Sequence, residues 1–526
     1  MRPDQQPGKR PDKRPDKRPD KRPNKLNALI DLCQHLGQRL VVWGMRILTA
    51  VDVDKSEILK MWRRSQQRRL TAILIVLPIL AIFLGLVVLE PSSQKPNQAL
   101  IPTRLFADPP SALSSPVCSE IRGVWITNVA SSVLFAPWGI VRAVHQLADL
   151  HFNTVYPVVW NRGQTFYHSP TLKQTTGYAI APVMALVHPT EDPLAEIVRV
   201  GHRENMRVIP WFEYGFMVPL NAKLARQHPD WLTWRHNASR RLYDDSFVEG
   251  PAKEPVENPI ENPAEGTIDG SREEKRSQKK SGLFSRLLSS GAPSALAWLN
   301  PLHPEVQSLV LNLVEEVVSQ YEVDGIQFDD HFSLPVEFGY DPYTVSLYQA
   351  EHQGQSPPAD AADEAWIRWR ADKFSEFVGA VHARVKAVCP SCLFSLSPNP
   401  AKFAYRFHLQ DWRAWVKNGW IDELVVQVYR DDLDKFESEL AKDILQSTMD
   451  KIPVSIGILT GTWRRPIAFD QIKAQVISSR DHHFSGVTFF YWDTLWSYFT
   501  PESPQQRRQN FRALLADDTT VVLAPK

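Results

Sequence analysis

The stretch VDGIQFDDHF, residues 323–332, runs from an apolar segment straight into Asp329, Asp330 and His331. Two adjacent carboxylates can raise each other's proton affinity, leaving one protonated and one ionised near neutrality. Such a pair can protonate a leaving oxygen and stabilise or attack the carbon it leaves, the chemistry of glycosidic bond cleavage. Side chains alternate along a strand, so Gln327 and Asp329 share one face while Phe328 and Asp330 share the other. Asp329 is therefore the acid in line with the interior, and Asp330 is its close partner. A third carboxylate, Glu213, closes another strand-like run, RVIPWFEYG, beside Trp211 and Tyr214. His331 could bind an acid or a hydroxyl, or serve structure alone.

Comparable residues end the other strand-like runs: Asn128; Trp160, Asn161 and Arg162; Asn399; Gln427 and Tyr429; Trp463; and Trp492 with Asp493. Taken singly, a strand-end Asp or Asn is a helix cap as readily as a functional group. Taken together, acids flanked by amides, an arginine and indoles suit a sugar. Acids move protons, amides and Arg bind hydroxyls, and aromatic faces stack on pyranose rings. Seventeen tryptophans favour that reading, although most indoles in any chain are core. No metal or other cofactor is expected: no histidine has another four residues on, and HExxH and G-x-S-x-G are absent. Cys389 and Cys392 have CxxC spacing without a second CxxC or a thioredoxin context, consistent with a tolerated pair or a local disulfide.

These residues must be positioned by eight runs: 122–129, 153–161, 207–215, 323–332, 393–400, 422–430, 453–461 and 485–494. Helical patterns separate most of them. Strand–helix alternation predicts a parallel sheet in an α/β protein, and the count of eight predicts a closed (β/α)8 TIM barrel with its chemistry at the C-terminal strand ends. A doubly wound open sheet fits less well, because no glycine-rich phosphate turn follows a strand.

Outside the barrel, the first 69 residues carry 18 Lys and Arg against 8 Asp and Glu. Residues 1–25 contain the repeat KRPDKRPDKRPDKRPNK, a proline-rich basic arm expected to be disordered. Residues 26–69 read as an amphipathic juxtamembrane segment, and Leu70–Leu89 as a transmembrane helix, since 20 uncharged residues span roughly 30 Å. The preceding RRSQQRR places the N-terminus in the cytoplasm and the remainder on the other side, with the lipid bilayer as a partner through residues 70–89. Residues 90–117 form a tether. The barrel occupies 118–515, with a polar, proline-rich insertion at about 244–293, and 516–526 is a tail. A formal net charge of +1 gives no argument for nucleic acid.

RGVWITNV, FNTVYPVVWNRGQTFYHS, VIPWFEYGF, HPDWL, WLNPLHPEVQ, VDGIQFDDHF, SLSPNP and VVQVY, in this order, resemble the glycoside-hydrolase-like family 10 proteins, especially their cyanobacterial branch. The resemblance covers roughly residues 119–500. It implies a TIM-barrel glycosidase acting outside the cytoplasm on a polysaccharide or on peptidoglycan glycan strands freed of stem peptides. The arm, the anchor and the insertion lie outside the family pattern, and Asp493 stands where similar sequences tend to carry Glu. The expectation is a membrane-anchored glycoside hydrolase in the periplasm; the alternative is a membrane-tethered glycan-binding protein that has lost catalysis.

Overall fold

The structure, a computed structural model, describes residues 118–129, 131, 133–135, 137–241, 295–462, 466–496, 500–516 and 520–521. The arm, the juxtamembrane segment, the apolar run 70–89, the tether, the insertion 244–293 and Trp463 lie outside the described residues. Among the described residues no helix is long and apolar enough to cross a membrane.

Eight parallel strands close a barrel: β1 (Ile121–Ile126), β2 (Thr154–Asn161), β3, β4 (Gly325–Asp329), β5 (Leu393–Ser397), β6 (Glu423–Gln427), β7 (Val454–Leu459) and β8 (Gly486–Phe490). Pairing runs in sequence order from β1 to β8, and β8 returns to β1 with Gly486 opposite Ile121. β3 comes in two short pieces, Arg207–Val208 and Trp211–Phe212. Pro210, which has no N–H to donate, lies between them, and its carbonyl accepts Gln327 N at 2.8 Å. At the closing seam a Cβ on Gly486 would lie 2.1 Å from the Ile121 carbonyl oxygen, and its φ of +148° disfavours any other residue.

Helices cover the outside because their apolar residues recur at helical spacing. In α1 (Pro304–Gln320), Val306, Leu309, Val310, Leu313, Val314 and Val317 are buried, and α1 packs on α2 (Glu364–Val388). Asp363 caps α2 by accepting from Trp366 N, as polar residues before an apolar-periodic run are expected to do. Between β3 and α1 the chain makes an antiparallel hairpin, Met217–Pro219 with Leu296–Trp298, which brackets the insertion.

The barrel interior is polar as well as apolar. Glu423, at the start of β6, pairs through Oε2 with Arg207 Nη1 at 2.9 Å. Its Oε1 accepts from Tyr156 Oη and Ser395 Oγ. Ser395 accepts from Gln327 Nε2, and Gln327 accepts from Trp125 Nε1 at 2.7 Å. Gln327 lies two residues before Asp329, so this chain of contacts runs up the barrel to the layer beneath the acids. Replacing Glu423 with Ala strips an acceptor from the buried Tyr156 and Ser395 and from the half-buried Arg207 at once, and should cost about 3 kcal/mol. A lower melting temperature for Glu423→Ala, partly restored in Glu423→Gln, is the expected outcome; unchanged melting would show that the chain of contacts carries no stability.

Candidate active site

β4 delivers Asp329 inward and ends there, leaving Asp330 on the turn that follows. Both acids reach the mouth by pointing to opposite sides of it. Asp329 Oδ2 accepts from Trp211 Nε1 and from Tyr214 N, each at 3.2 Å, and Oδ1 accepts from His331 N at 2.9 Å. Asp330 instead faces β5 and β6, accepting from Asn399 Nδ2 at 3.0 Å and Gln427 Nε2 at 3.1 Å. Gln427 is itself held by the Ser397 carbonyl. His331 lies between the acids, with Nδ1 3.3 Å from Asp330 Oδ1 and 3.6 Å from Asp329 Oδ1, an ion pair more than a tight hydrogen bond.

Two features hold the turn that sequence patterning did not single out. Gln410 Nε2 donates to the Asp329 and Phe332 carbonyls at 2.9 and 3.0 Å. Gly215 brings the end of β3 against it: a Cβ there would lie 2.2 Å from the His331 carbonyl oxygen, and its φ is +39°. Tyr214 precedes it in the left-handed region, with φ +60°, and packs its ring 4.9 Å from the His331 imidazole.

Glu213 sits on the β1–β3 side of the same mouth. Thr127 Oγ1 donates to its carboxylate, lying 2.8 and 3.0 Å from the two oxygens, and Asn161 Nδ2 donates to Oε2 at 2.8 Å while also reaching Asn128 Oδ1. Thr127 was not among the expected residues, although alternation from Trp125 places it on the inward face. Arg162 stacks its guanidinium 4.5 Å above the Tyr214 ring. Trp160 is turned away from this group. The β2–β3 register shifts between Val158 and Trp160, so Trp160 pairs with Phe212 and donates Nε1 to the Gly215 carbonyl. It buttresses the turn instead of presenting a ring face, while Asn161 takes the inward place. Trp211 is likewise buried, and its indole N–H serves Asp329.

Tyr429, on the β6 side, is buried with its ring 5.8 Å from that of Phe490, and burial with the two aspartates pushes its phenol well up. The chain after β8, where the Phe490–Tyr491 peptide is cis, forms the short helix Trp492–Leu495. Trp492 packs edge-on against Trp496, and Asp493 beside it raises the Tyr491 phenol, which burial has already raised.

Electrostatics separate the three acids. Burial, reinforced by Asp329, pushes Glu213 up to about 8 against the donors from Thr127 and Asn161. Burial also raises Asp329. For Asp330 burial acts in the same direction, but His331 outweighs it and holds the carboxyl down at about 2. His331 is in turn raised well above its ordinary value, its burial overcome by the two aspartates. One ligand atom from each of Asp329, Asp330 and His331 lies within 4.8 Å of the others, the closeness a cation site needs. The two aspartates raise the proton affinity of His331, so a proton on the imidazole competes with any metal for the same site.

The model of the family described as Glycosyl hydrolase-like 10 matches residues 120–260 and 277–478. Glycosyl hydrolase DigH of Escherichia coli K12 is 22% identical over 401 residues, covering 67% of this chain and 74% of that protein. Glycosyl hydrolase YngK of Bacillus subtilis 168 is 21% identical over 355 residues, covering 59% of this chain and 54% of its own length. Among solved structures, the PgaB (BpsB) glycoside hydrolase domain of Bordetella bronchiseptica aligns with a TM-score of 0.45 at 12% identity, over 78% of this chain and 99% of that one.

A carboxyl raised from 4.5 unfolded to about 8 folded takes up a proton on folding throughout that window. Stability from this group is full below about pH 4.5 and is lost as pH rises through 8. Glu213→Gln, which keeps a neutral group in place, should flatten that decline and gain on the parent at alkaline pH. Melting curves from pH 5 to 9 that run parallel for parent and variant would refute the raised value.

Proposed function

The chain belongs to the glycosyl hydrolase-like 10 family and is a glycoside hydrolase, and from that premise we propose that it cleaves peptidoglycan glycan strands outside the cytoplasm from a membrane anchor. The observation that carries the mechanism is two carboxyls in one barrel mouth with opposite surroundings: Glu213 held by the neutral donors of Thr127 and Asn161 and pushed up to about 8 by burial, and Asp330 beside His331 and held down at about 2. Glu213 is protonated at neutral pH and gives its proton to the leaving glycosidic oxygen. Asp330, ionised and the more exposed of the two aspartates, acts at the anomeric carbon, either directly or by activating water. Hydrolysis consumes one water, breaks the C–O bond and returns the proton to Glu213. Asp329, whose oxygens accept three N–H donors, fixes the turn on which Asp330 and His331 stand. Asn128, Asn161, Arg162, Asn399 and Gln427 are the groups for sugar hydroxyls, with the largely buried Tyr429 and Trp492 as aromatic walls and Asp493 beside them.

Extracytoplasmic placement is supported by the uncharged run Leu70–Leu89 behind RRSQQRR, and by the Cys389–Cys392 disulfide, which suits an oxidising compartment. The full-length chain in mild detergent should release new reducing ends from peptide-free glycan strands. Glu213→Gln and Asp330→Asn should each lower kcat/KM by about 10²–10⁴. Parent kcat/KM should fall as pH rises above about 8, where Glu213 loses its proton. Strands bound yet uncut by parent and variants alike would identify a tethered binding protein instead.

A further inference from the structure

A cavity of about 590 Å³ opens among the helical segments that follow β4, β5 and β6, on the Asp330 side of the mouth. Its lining is cationic, with Arg368, Lys402, Arg406, Arg413 and Lys442 around Tyr405. Some of that charge is answered within the protein. Lys442 Nζ bonds both oxygens of Glu439 at 2.8 Å, and Arg413 lies 3.7 Å from Asp411. Glu439, which also lines the cavity, is occupied by Lys442 and Arg430, and Glu364 is the other acid there. Lys402 and Arg406 are different: both are exposed on the helix Ala401–His408, and among the described residues neither has a carboxylate partner.

The same helix adds positive potential from its backbone. Ala401 and Lys402 belong to its first turn and line the cavity, and Pro400 at the N-cap offers no capping side chain, so the positive end of the helix faces this region. It begins two residues after Asn399, the amide that donates to Asp330. Through Asn399 the start of this helix, and with it the Ala401–Lys402 edge of the cavity, is tied to Asp330.

We propose that the cavity is a subsite for an ionised carboxylate borne by the glycan, so that the substrate is an anionic polysaccharide, recognised chiefly by Lys402 and Arg406. The inference rests on the hydrolase reading of the mouth. Arg406 offers a planar fork of donors that matches a carboxylate, and Lys402 supplies a mobile point charge beside it. A neutral glycan offers these two cations hydroxyl hydrogen bonds but no opposite charge, which only a carboxylate supplies.

The test uses the full-length chain in detergent and two pairs of probes. One pair is peptide-free peptidoglycan strands with their muramic carboxylates free or converted to methylamides; the other is polygalacturonate and its methyl ester. Binding is measured by calorimetry at low and high salt, and cleavage by new reducing ends. In at least one pair the free carboxylate form should bind about tenfold more tightly than its blocked form, and salt should narrow the gap. The double variant Lys402→Ala, Arg406→Ala should erase the gap while leaving affinity for the blocked strand and the melting temperature unchanged. Lys402→Arg with Arg406 intact should preserve it. Equal binding of free and blocked forms in both pairs, no binding of either pair, or a gap that survives the double variant would overturn the subsite. Carboxylate-dependent binding without cleavage would instead remove the hydrolase reading and leave the subsite standing.

Discussion

A charge taken out of water must meet either an opposite charge or a full set of hydrogen bonds, and the Asp329–His331–Asp330 group is where this chain satisfies that demand. Three ionisable side chains are closed together at one strand end, where His331 offsets both the burial of the two acids and their mutual repulsion. The imidazole favours the charged form of the acids beside it, and the acids raise the imidazole's affinity for its proton. Much of the surrounding architecture serves to hold that triplet. Gly215 lets the β3 turn approach the His331 carbonyl, Gln410 ties down the turn after β4, and Asn399 and Gln427 supply the donors that Asp330 still lacks. Removing any one partner leaves charge buried without an answer, so the group behaves as a unit.

Glu213 shows what the same mouth does to an acid held apart from that ion group. Its hydrogen bonds come from a hydroxyl and an amide, both neutral, and the desolvation they fail to offset moves the proton onto the carboxyl. Asp330 is held down by His331 together with the Gln427 amide, while Glu213 is pushed up by burial beside Asp329, so two carboxyls in one cleft are driven in opposite directions. The polar column from Arg207 and Glu423 up to Gln327 and Trp125 sits directly beneath. It gives the floor of the site a fixed pattern of donors and acceptors, where apolar packing alone would leave it free to slide.

The eight strands were legible because buried parallel strands read as short β-branched and aromatic runs, and each expected run contains its strand except the first, which starts one residue after Ile121. The expected ends overshoot: 323–332 against Gly325–Asp329, and 485–494 against Gly486–Phe490. The mouth residues are themselves aromatic and strand-like in type, so composition cannot mark where pairing stops. Alternation placed Asp329 inward, yet it could not see that Asp330, on the turn, is free to reach β5 and β6. It also could not see the register shift in β2, which exchanges Trp160 for Asn161. Thr127 was within reach of the same rule but sits beside Asn128, the more conspicuous amide. Gln410 lies beyond the helix after β5, and only tertiary structure brings it back to the turn. Cys389 and Cys392 form the local disulfide that their spacing allowed.

The hairpin between β3 and α1 has a bearing on how such a chain can diversify. Met217–Pro219 and Leu296–Trp298 are hydrogen-bonded neighbours, so the two ends of the long intervening stretch are pinned side by side by the fold itself. The entropy of closing a loop grows only with the logarithm of its length, so lengthening or shortening such a stretch changes the closure term little. That passage is a socket: sequence can be gained, lost or exchanged there over generations while the catalytic floor keeps its register, leaving one barrel able to carry different attachments.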